Sequence, residues 1–285
     1  MISNKKFTAS YLIFLSSFWM TFSQVDTLNV YSQVMQKTIP NIVVTPENYS
    51  STDEKRPVLF LLHGAGGDFS DWINKAPIIR QLSNDLDFII VCPDGGDTSW
   101  YFDSPIDHNM QYETYIAEEL VDAINKNYSV SSEKEQRAIT GLSMGGHGAL
   151  YLAFRHQDIW GAAGSMSGGV DIRSFPDNWN IAKRLGPISE NKSLWDKNTV
   201  INMLKLIGED LSLILDCGYE DFFFNDNKRM HEELLKNGIG HVYIERPGAH
   251  NWDYWRNSIK YQLLYFRDFF ERNKIPKLQE TLINK

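Results

Sequence analysis

Short, continuous apolar runs alternate with segments of helical periodicity along most of this 285-residue chain. The runs are Pro57–Leu62, Phe88–Cys92, Arg137–Thr140, Ala162–Met166, Leu211–Cys217 and His241–Glu245. Helical spacing falls between and after them, at Ser70–Asp85, Tyr112–Tyr128, Met144–Arg155, Asn225–Asn237 and Asn251–Asn273. In Tyr112–Tyr128, for example, Tyr115, Ile116, Leu120, Val121 and Ile124 share one face. An unbroken apolar strand must be covered on both sides, and strand–helix–strand order makes neighbouring strands parallel. The pattern predicts an α/β fold: a mainly parallel twisted sheet with helices on both faces. Val30–Met35 and Ile39–Val44 read as an opening antiparallel pair. Residues 170–208 break the alternation. They carry no strand signal, hold Pro176, Trp179, Pro187 and Trp195, and are too long for a simple connection. They are expected to form a partly helical excursion near the active-site edge of the sheet.

The first residues follow other rules. Lys5 and Lys6 precede a charge-free apolar stretch, Phe7–Phe22, with Thr21 and Ser23 at the small-residue positions of a cleavage site. Residues 1–23 are therefore expected to be a secretory signal peptide, leaving 24–285 as a single domain that is secreted or periplasmic. No cysteine follows the stretch, which disfavours a lipid anchor. Removing Lys5 and Lys6 from 28 basic side chains leaves 26 against 36 acidic ones, a net −10. An acidic chain without a basic run is a poor partner for nucleic acid, and none is expected. No second apolar run approaches membrane-spanning length, so no stable membrane anchor is expected after cleavage. Cys92 and Cys217 end separate strands and are expected to be free, mostly buried thiols.

One motif carries chemistry. Gly141-Leu142-Ser143-Met144-Gly145 is a G-x-S-x-G pentapeptide, set between the strand ending in Thr140 and the helix that follows. Such a strand–turn–helix elbow holds serine in a strained backbone conformation that lifts its hydroxyl above the sheet edge. The glycines on either side are needed because a side chain there would clash. Hydroxyl is a weak nucleophile and needs a base. His250 lies in a loop at the sheet's C-terminal edge, between the strand His241–Glu245 and the last helix. His147 and His156 sit on the helix that Ser143 opens and cannot fold back, and His231 lies within a helix. The acid should follow the preceding strand, where Asp216, Glu220 and Asp221 occur. Asp216 is still inside the strand. Asp221 is favoured because Phe222-Phe223-Phe224 would shield it, with Glu220 as the alternative.

The oxyanion formed on attack needs N–H donors. Met144, the residue after the nucleophile, should supply one. The loop His63-Gly64-Ala65-Gly66-Gly67 should supply the other, from Ala65 first and Gly64 second, and Gly64 should also touch substrate. His63 reads as a structural hydrogen-bonder. Trp100 and Tyr101 are expected to line the substrate cleft. Ser165 and Ser167, in Gly164–Gly169, lack the elbow's glycine spacing. Asp94-Gly95-Gly96-Asp97 is too short to suggest a metal, and no metal or cofactor is expected.

These segments together resemble the Putative esterase family of α/β-hydrolases, which spans S-formylglutathione hydrolase (esterase D), tributyrin esterases, feruloyl and acetylxylan esterases, and mycolyltransferases. The resemblance rests on LLHGAGG (61–67), PDGGDTSWYFDSP (93–105), ETYIAEEL (113–120), GLSMGGHGA (141–149), SGGVDIR (167–173), DCGYEDFFFNDN (216–227) and ERPGAHNWDYW (245–255). It implies an α/β-hydrolase fold, a Ser143–His250–Asp221 triad, and Ala65 and Met144 as oxyanion donors. The activity it implies is carboxylic ester hydrolysis on small-molecule or polysaccharide-linked esters, with short acyl, acetyl or feruloyl groups. SWYFDSP is closer to the tributyrin and plant-polysaccharide esterases than to S-formylglutathione hydrolase. A mycolyltransferase-like acyltransferase, a thioesterase and an inactive glycan-binding module are the alternatives.

Overall fold

The computed structural model describes residues 24–49 and 54–274, so the expected leader lies outside the described residues. Eight strands form one sheet: β1 (Gln24–Ser32), β2 (Lys37–Thr45), β3 (Val58–Leu62), β4 (Ile89–Pro93), β5 (Arg137–Gly141), β6 (Ala162–Met166), β7 (Ser212–Gly218) and β8 (Val242–Arg246). Their order is β1-β2-β4-β3-β5-β6-β7-β8. β1 pairs antiparallel with β2, and β2 with β4, while every pairing from β4 through β8 is parallel.

The strands are uniformly apolar because both faces are covered. Alternate residues of β3 serve opposite layers. Leu59 and Leu61 meet the helices α1 (Asp71–Lys75), α2 (Ile78–Leu86) and α9 (Trp252–Lys274) through Trp72, Ile79, Leu263 and Phe266. Val58, Phe60 and Leu62 face the other layer. That layer holds α3 (Tyr112–Thr114), a π-helical segment (Tyr115–Leu120), α4 (Val121–Asn127), α5 (Met144–Arg155) and α8 (Phe224–Lys236). Each large apolar side chain buried this way is worth about 1.5–3 kcal/mol.

The structure departs from the sequence reading in three places. Ser70–Asp85 is not one helix: the chain breaks at Ala76, whose ψ is 62°, because Pro77 disfavours helical backbone in the residue before it. The opening hairpin turns earlier than expected, β1 ending at Ser32 and Gln36 turning with φ 51°. Tyr112–Asn127 is continuous but widens into a π segment, a change of hydrogen-bond pattern that apolar spacing does not reveal. The excursion is as expected in kind. From β6 to β7 the chain forms α6 (Ile181–Leu185), α7 (Ile188–Lys197) and short 3₁₀ turns, with no strand. Cys92 and Cys217 are free and buried, on strands that are not neighbours. Burial pushes both thiols up. Among the described residues no helix is long and apolar enough to cross a membrane.

Candidate active site

Parallel strands all end at the same edge of a sheet, and four of those ends meet here. The loop after β3 carries Gly64 and Ala65, the turn after β5 carries Ser143, the turn after β7 carries Asp221, and the loop after β8 carries His250.

Ser143 has φ 55° and ψ −117°, a conformation that side chains avoid. Two hydrogen bonds to β6 and the loop after it pin it: its N–H donates to the Met166 carbonyl at 2.9 Å, and its own carbonyl accepts from Gly169 at 3.3 Å. The flanking glycines are steric necessities. A Cβ on Gly145 would lie 2.6 Å from the carbonyl oxygens of Leu62 and His63, and one on Gly141 would lie 2.6 Å from the Gly145 carbonyl.

His250 Nε2 lies 2.9 Å from Ser143 Oγ, and its Nδ1 lies 2.8 Å from Asp221 Oδ2. An ionised carboxylate can only accept, so opposite a charged Asp221 the hydrogen sits on Nδ1 and Nε2 faces the serine hydroxyl as an acceptor. Asp221 is buried, and its other oxygen accepts the Phe223 N–H at 2.8 Å. The loops bearing acid and base are stitched together: Tyr219 and Glu220 N–H donate to the Arg246 and Gly248 carbonyls, each at 2.9 Å. Glu220 itself points to solvent. Asp216, fully buried, accepts from Arg246 Nη2 at 2.8 Å and Ser258 Oγ at 2.7 Å. Burial raises its pKa. Of the three carboxylates, only Asp221 meets the imidazole.

The N–H groups of Ala65 and Met144 have no partner among the described residues, whereas Gly66 and Gly67 spend theirs on Asp97 and Gly64 carbonyls. His63 is locked beneath this loop. Its Nδ1 donates to the Gly64 carbonyl and its Nε2 accepts from Gly95, both at 2.8 Å. Burial lowers its pKa, which suits the neutral ring that this pairing needs. His147, four residues after the serine, is buried between the Trp100 and Asn198 carbonyls and pulled down to about 4 by burial. Ser165 and Ser167 are fully buried, and Asp94 caps its own turn by accepting from Gly96.

A cleft of about 300 Å³ opens over Ser143, lined by Gly64–Gly67 and Leu142 at its base and by Trp179, Phe222, Trp252 and Trp255 on its walls. Asp71 and Lys75 complete it, paired at 2.8 Å. A larger cavity of about 720 Å³ lies at the other end of β7 and β8, away from all of these groups. Trp100 and Tyr101 correct the sequence reading, because neither lines the cleft. Both take left-handed backbone, φ 59° and 61°, which turns their rings inward to 1% and 0% exposure. They brace the walls instead: Tyr101 Oη donates to the His63 carbonyl at 3.0 Å, and Trp100 Nε1 donates to the Trp179 carbonyl at 3.3 Å. Trp179 is marked in the sequence only as part of the excursion, and Trp252 and Trp255 only as part of the segment after His250; nearness to His250 points to the latter two as cleft residues, and the place of the excursion at the sheet edge points to Trp179.

Residues 32–266 match the family model described as Putative esterase. The chain belongs to the Putative esterase family. An acetyl esterase of Caldicellulosiruptor saccharolyticus is 26% identical over 254 residues, covering 81% of this chain and 94% of that one. A diacylglycerol acyltransferase/mycolyltransferase of Mycobacterium leprae is 26% identical over 271 residues, covering 81% and 80%. Among solved structures, a ferulic acid esterase superposes with a TM-score of 0.75 at 27% identity, covering 87% of this chain and 98% of that one. The fold is that of the α/β-hydrolases, and the enzyme is a carboxylic ester hydrolase. In this esterase the loop after β3 packs directly on the elbow after β5: a Cβ on Gly64 would lie 2.6 Å from Leu142 Cδ1 and 3.3 Å from Ser143 Cβ.

Proposed function

We propose that Ser143, His250 and Asp221 are the catalytic triad of a secreted esterase that works through an acyl-enzyme. The reading is carried by the continuous hydrogen-bond path from Ser143 Oγ through His250 to buried Asp221. His250 Nε2 takes the hydroxyl proton as Oγ attacks the ester carbonyl. Charge develops on the carbonyl oxygen, and the Ala65 and Met144 N–H groups, free of other partners, receive it. One such donor is typically worth about 3 kcal/mol of barrier. As the tetrahedral intermediate collapses, His250 returns the proton to the departing alcohol. Water then attacks the acyl-enzyme by the same route, and Ser143 is restored. Asp221 holds the ring's tautomer and stabilises the imidazolium without taking its proton.

The acyl group is proposed to be small or planar, acetyl to feruloyl, including decorations on polysaccharides. The acetyl esterase and ferulic acid esterase relatives support this range, as does a cleft walled by aromatic rings. Residues 1–23 are proposed to be a cleaved leader and 24–285 one catalytic domain. The deciding experiment is Ser143→Ala with intact fold. Nitrophenyl acetate turnover should fall by roughly 10⁴-fold or more, and fluorophosphonate labelling should disappear. Turnover near the wild-type rate would refute the triad. The mycolyltransferase relative favours a second reading, in which an acceptor alcohol replaces water. Transfer of the acyl group to an added sugar, faster than hydrolysis, would establish it.

A further inference from the structure

The triad leaves unexplained a half-exposed aromatic ring laid against its base. Phe222, next to the acid, has its ring centroid 4.2 Å from that of His250, yet the residue is 52% exposed and lines the cleft. Its ring stacks on Trp179, at 5.7 Å and 18° between planes. Trp179 comes from a different part of the chain, the excursion, and reaches this position at a cost. It and Asn180 take consecutive left-handed conformations, φ 45° and 55°, which bulky side chains avoid. The turn is braced from behind. Trp100 holds the Trp179 carbonyl, and Phe175 and Phe223 pack against the indole at 5.4 and 5.5 Å. Strain that the surroundings maintain around a side chain that lines a cleft is a mark of function.

The reaction says which part of a substrate meets this stack. The departing alcohol oxygen takes its proton from His250 Nε2, so it leaves from beside the imidazole. Three rings lie against the imidazole, and of these Phe222 is nearest and most nearly parallel, 4.2 Å and 40° against 4.9 Å and 88° for Trp255 and 5.3 Å and 77° for Phe223, so whatever that oxygen is bonded to passes beside Phe222. We infer that Phe222 and Trp179 form the platform for the leaving alcohol, and that they select an alcohol with a flat, ring-shaped body, a pyranose sugar, over a linear alkyl alcohol. This rests on the triad reading above. A sugar ring offers a face of C–H groups to the electron-rich aromatic face, and hydroxyls around its edge. The same cleft holds the Asp71–Lys75 pair, which can hydrogen-bond such hydroxyls. A purely apolar alcohol would make no hydrogen bond to either member of this pair.

Three variants and two acetates test it: a monoacetylated methyl xylopyranoside and butyl acetate, which share the acyl group. Wild type is expected to favour the sugar ester in kcat/KM. In Phe222→Ala and in Trp179→Ala the sugar ester should lose about 30-fold, mainly through KM, and butyl acetate about threefold, in line with the worth of ring stacking elsewhere. Phe222→Tyr, which keeps the ring, should restore most of the loss. Equal losses on both esters would show that the rings act through His250 or the fold, and would overturn the proposal, as would a wild-type preference for butyl acetate. Fluorophosphonate labelling separates this failure from that of the underlying reading. If the alanine variants still label at Ser143 but show no selective loss, the platform is wrong and the triad stands. If wild type does not label, the triad reading falls and the platform with it.

Discussion

The elbow at Ser143 and the aromatic stack at Trp179 are both strained, and they are supported in opposite ways. The elbow is built into the core. β5 is wholly buried, α5 is buried from Met144 to Phe154, and the flanking glycines press against backbone. The stack stands on the rim. Trp179 belongs to a connection with no strand, and Phe222 is half exposed. The chemistry is thus mounted where the structure can least move, and the surface that would meet variable substrate lies where sequence can change without disturbing the sheet. Each of the following variants tests one side of that division.

Asp221→Asn should have the largest effect. The amide can present a donor to His250 Nδ1 and so favour the wrong tautomer, and kcat is expected to fall about 10⁴-fold with little change in unfolding free energy. A fall below tenfold would move the acid's role to another group. Asp216→Ala tests the core beneath it. Arg246 is partly buried, and removing its carboxylate leaves a charge with no counterpart in a low-dielectric site. Loss of one partner from such a pair costs about 3–5 kcal/mol. Urea denaturation should register that loss, together with a fall in kcat, since Arg246 begins the loop carrying His250.

How much of this was legible in the sequence follows the same division. The elbow obeys local rules: apolar strand, glycine spacing, helix. It was readable at Ser143 and in the Ser–acid–His order. Which of three clustered carboxylates faces the imidazole depends on the direction of side chains at a turn, and Asp221 was favoured over Glu220 only through its phenylalanine neighbours. Of the cleft lining, the glycine loop at its base was legible, Gly64 included, and the aromatic walls were not. Trp100 and Tyr101 follow a strand at the correct edge, but two left-handed residues in succession turn their rings inward, and sequence does not announce positive φ at a tryptophan. Trp179 lies 43 positions from Phe222, and only the path of the excursion unites them. The break at Ala76 is legible in principle, because Pro77 follows it and disfavours helical backbone there even though the apolar spacing continues.

Strain at the elbow can be separated from chemistry by comparing two inactive variants. Ser143→Ala keeps a side chain at φ 55°, ψ −117°, while Ser143→Gly removes the clash. The glycine variant should be the more stable of the two by about 1–3 kcal/mol, less the greater chain entropy that glycine loses on folding. For a chain of this size each kilocalorie is worth a few degrees of melting temperature. Equal melting temperatures would mean that the elbow is not strained, and the contrast with the rim would lose half its content.

The smallest effect concerns the far end of α5, which a charge cluster clamps. Glu113 accepts from Arg155 Nε at 2.6 Å and Tyr151 Oη at 2.9 Å, and lies 2.8 Å from His156 Nε2. Burial alone would raise its pKa, but the His156 and Arg155 hydrogen bonds outweigh burial and hold it below the ordinary carboxylate range. A depressed carboxylate stabilises the fold above its unfolded pKa, about 4.3, and that contribution is lost as pH falls through the lower folded value. Glu113→Gln should therefore cost about 2 kcal/mol near neutral pH, the worth of hydrogen bonds to a charged group. The gap to wild type should begin to close as pH falls below about 4.3, where the unfolded chain takes up the proton, and should vanish only once the folded carboxyl is protonated as well. Because Ser143 opens the opposite end of the same helix, esterase turnover at pH 7 should change less than twofold if the core isolates the elbow from its far support. Denaturation curves that stay parallel from pH 7 to pH 3.5 would show that the Glu113 charge does not contribute. A large fall in turnover would show that the elbow depends on the whole length of α5.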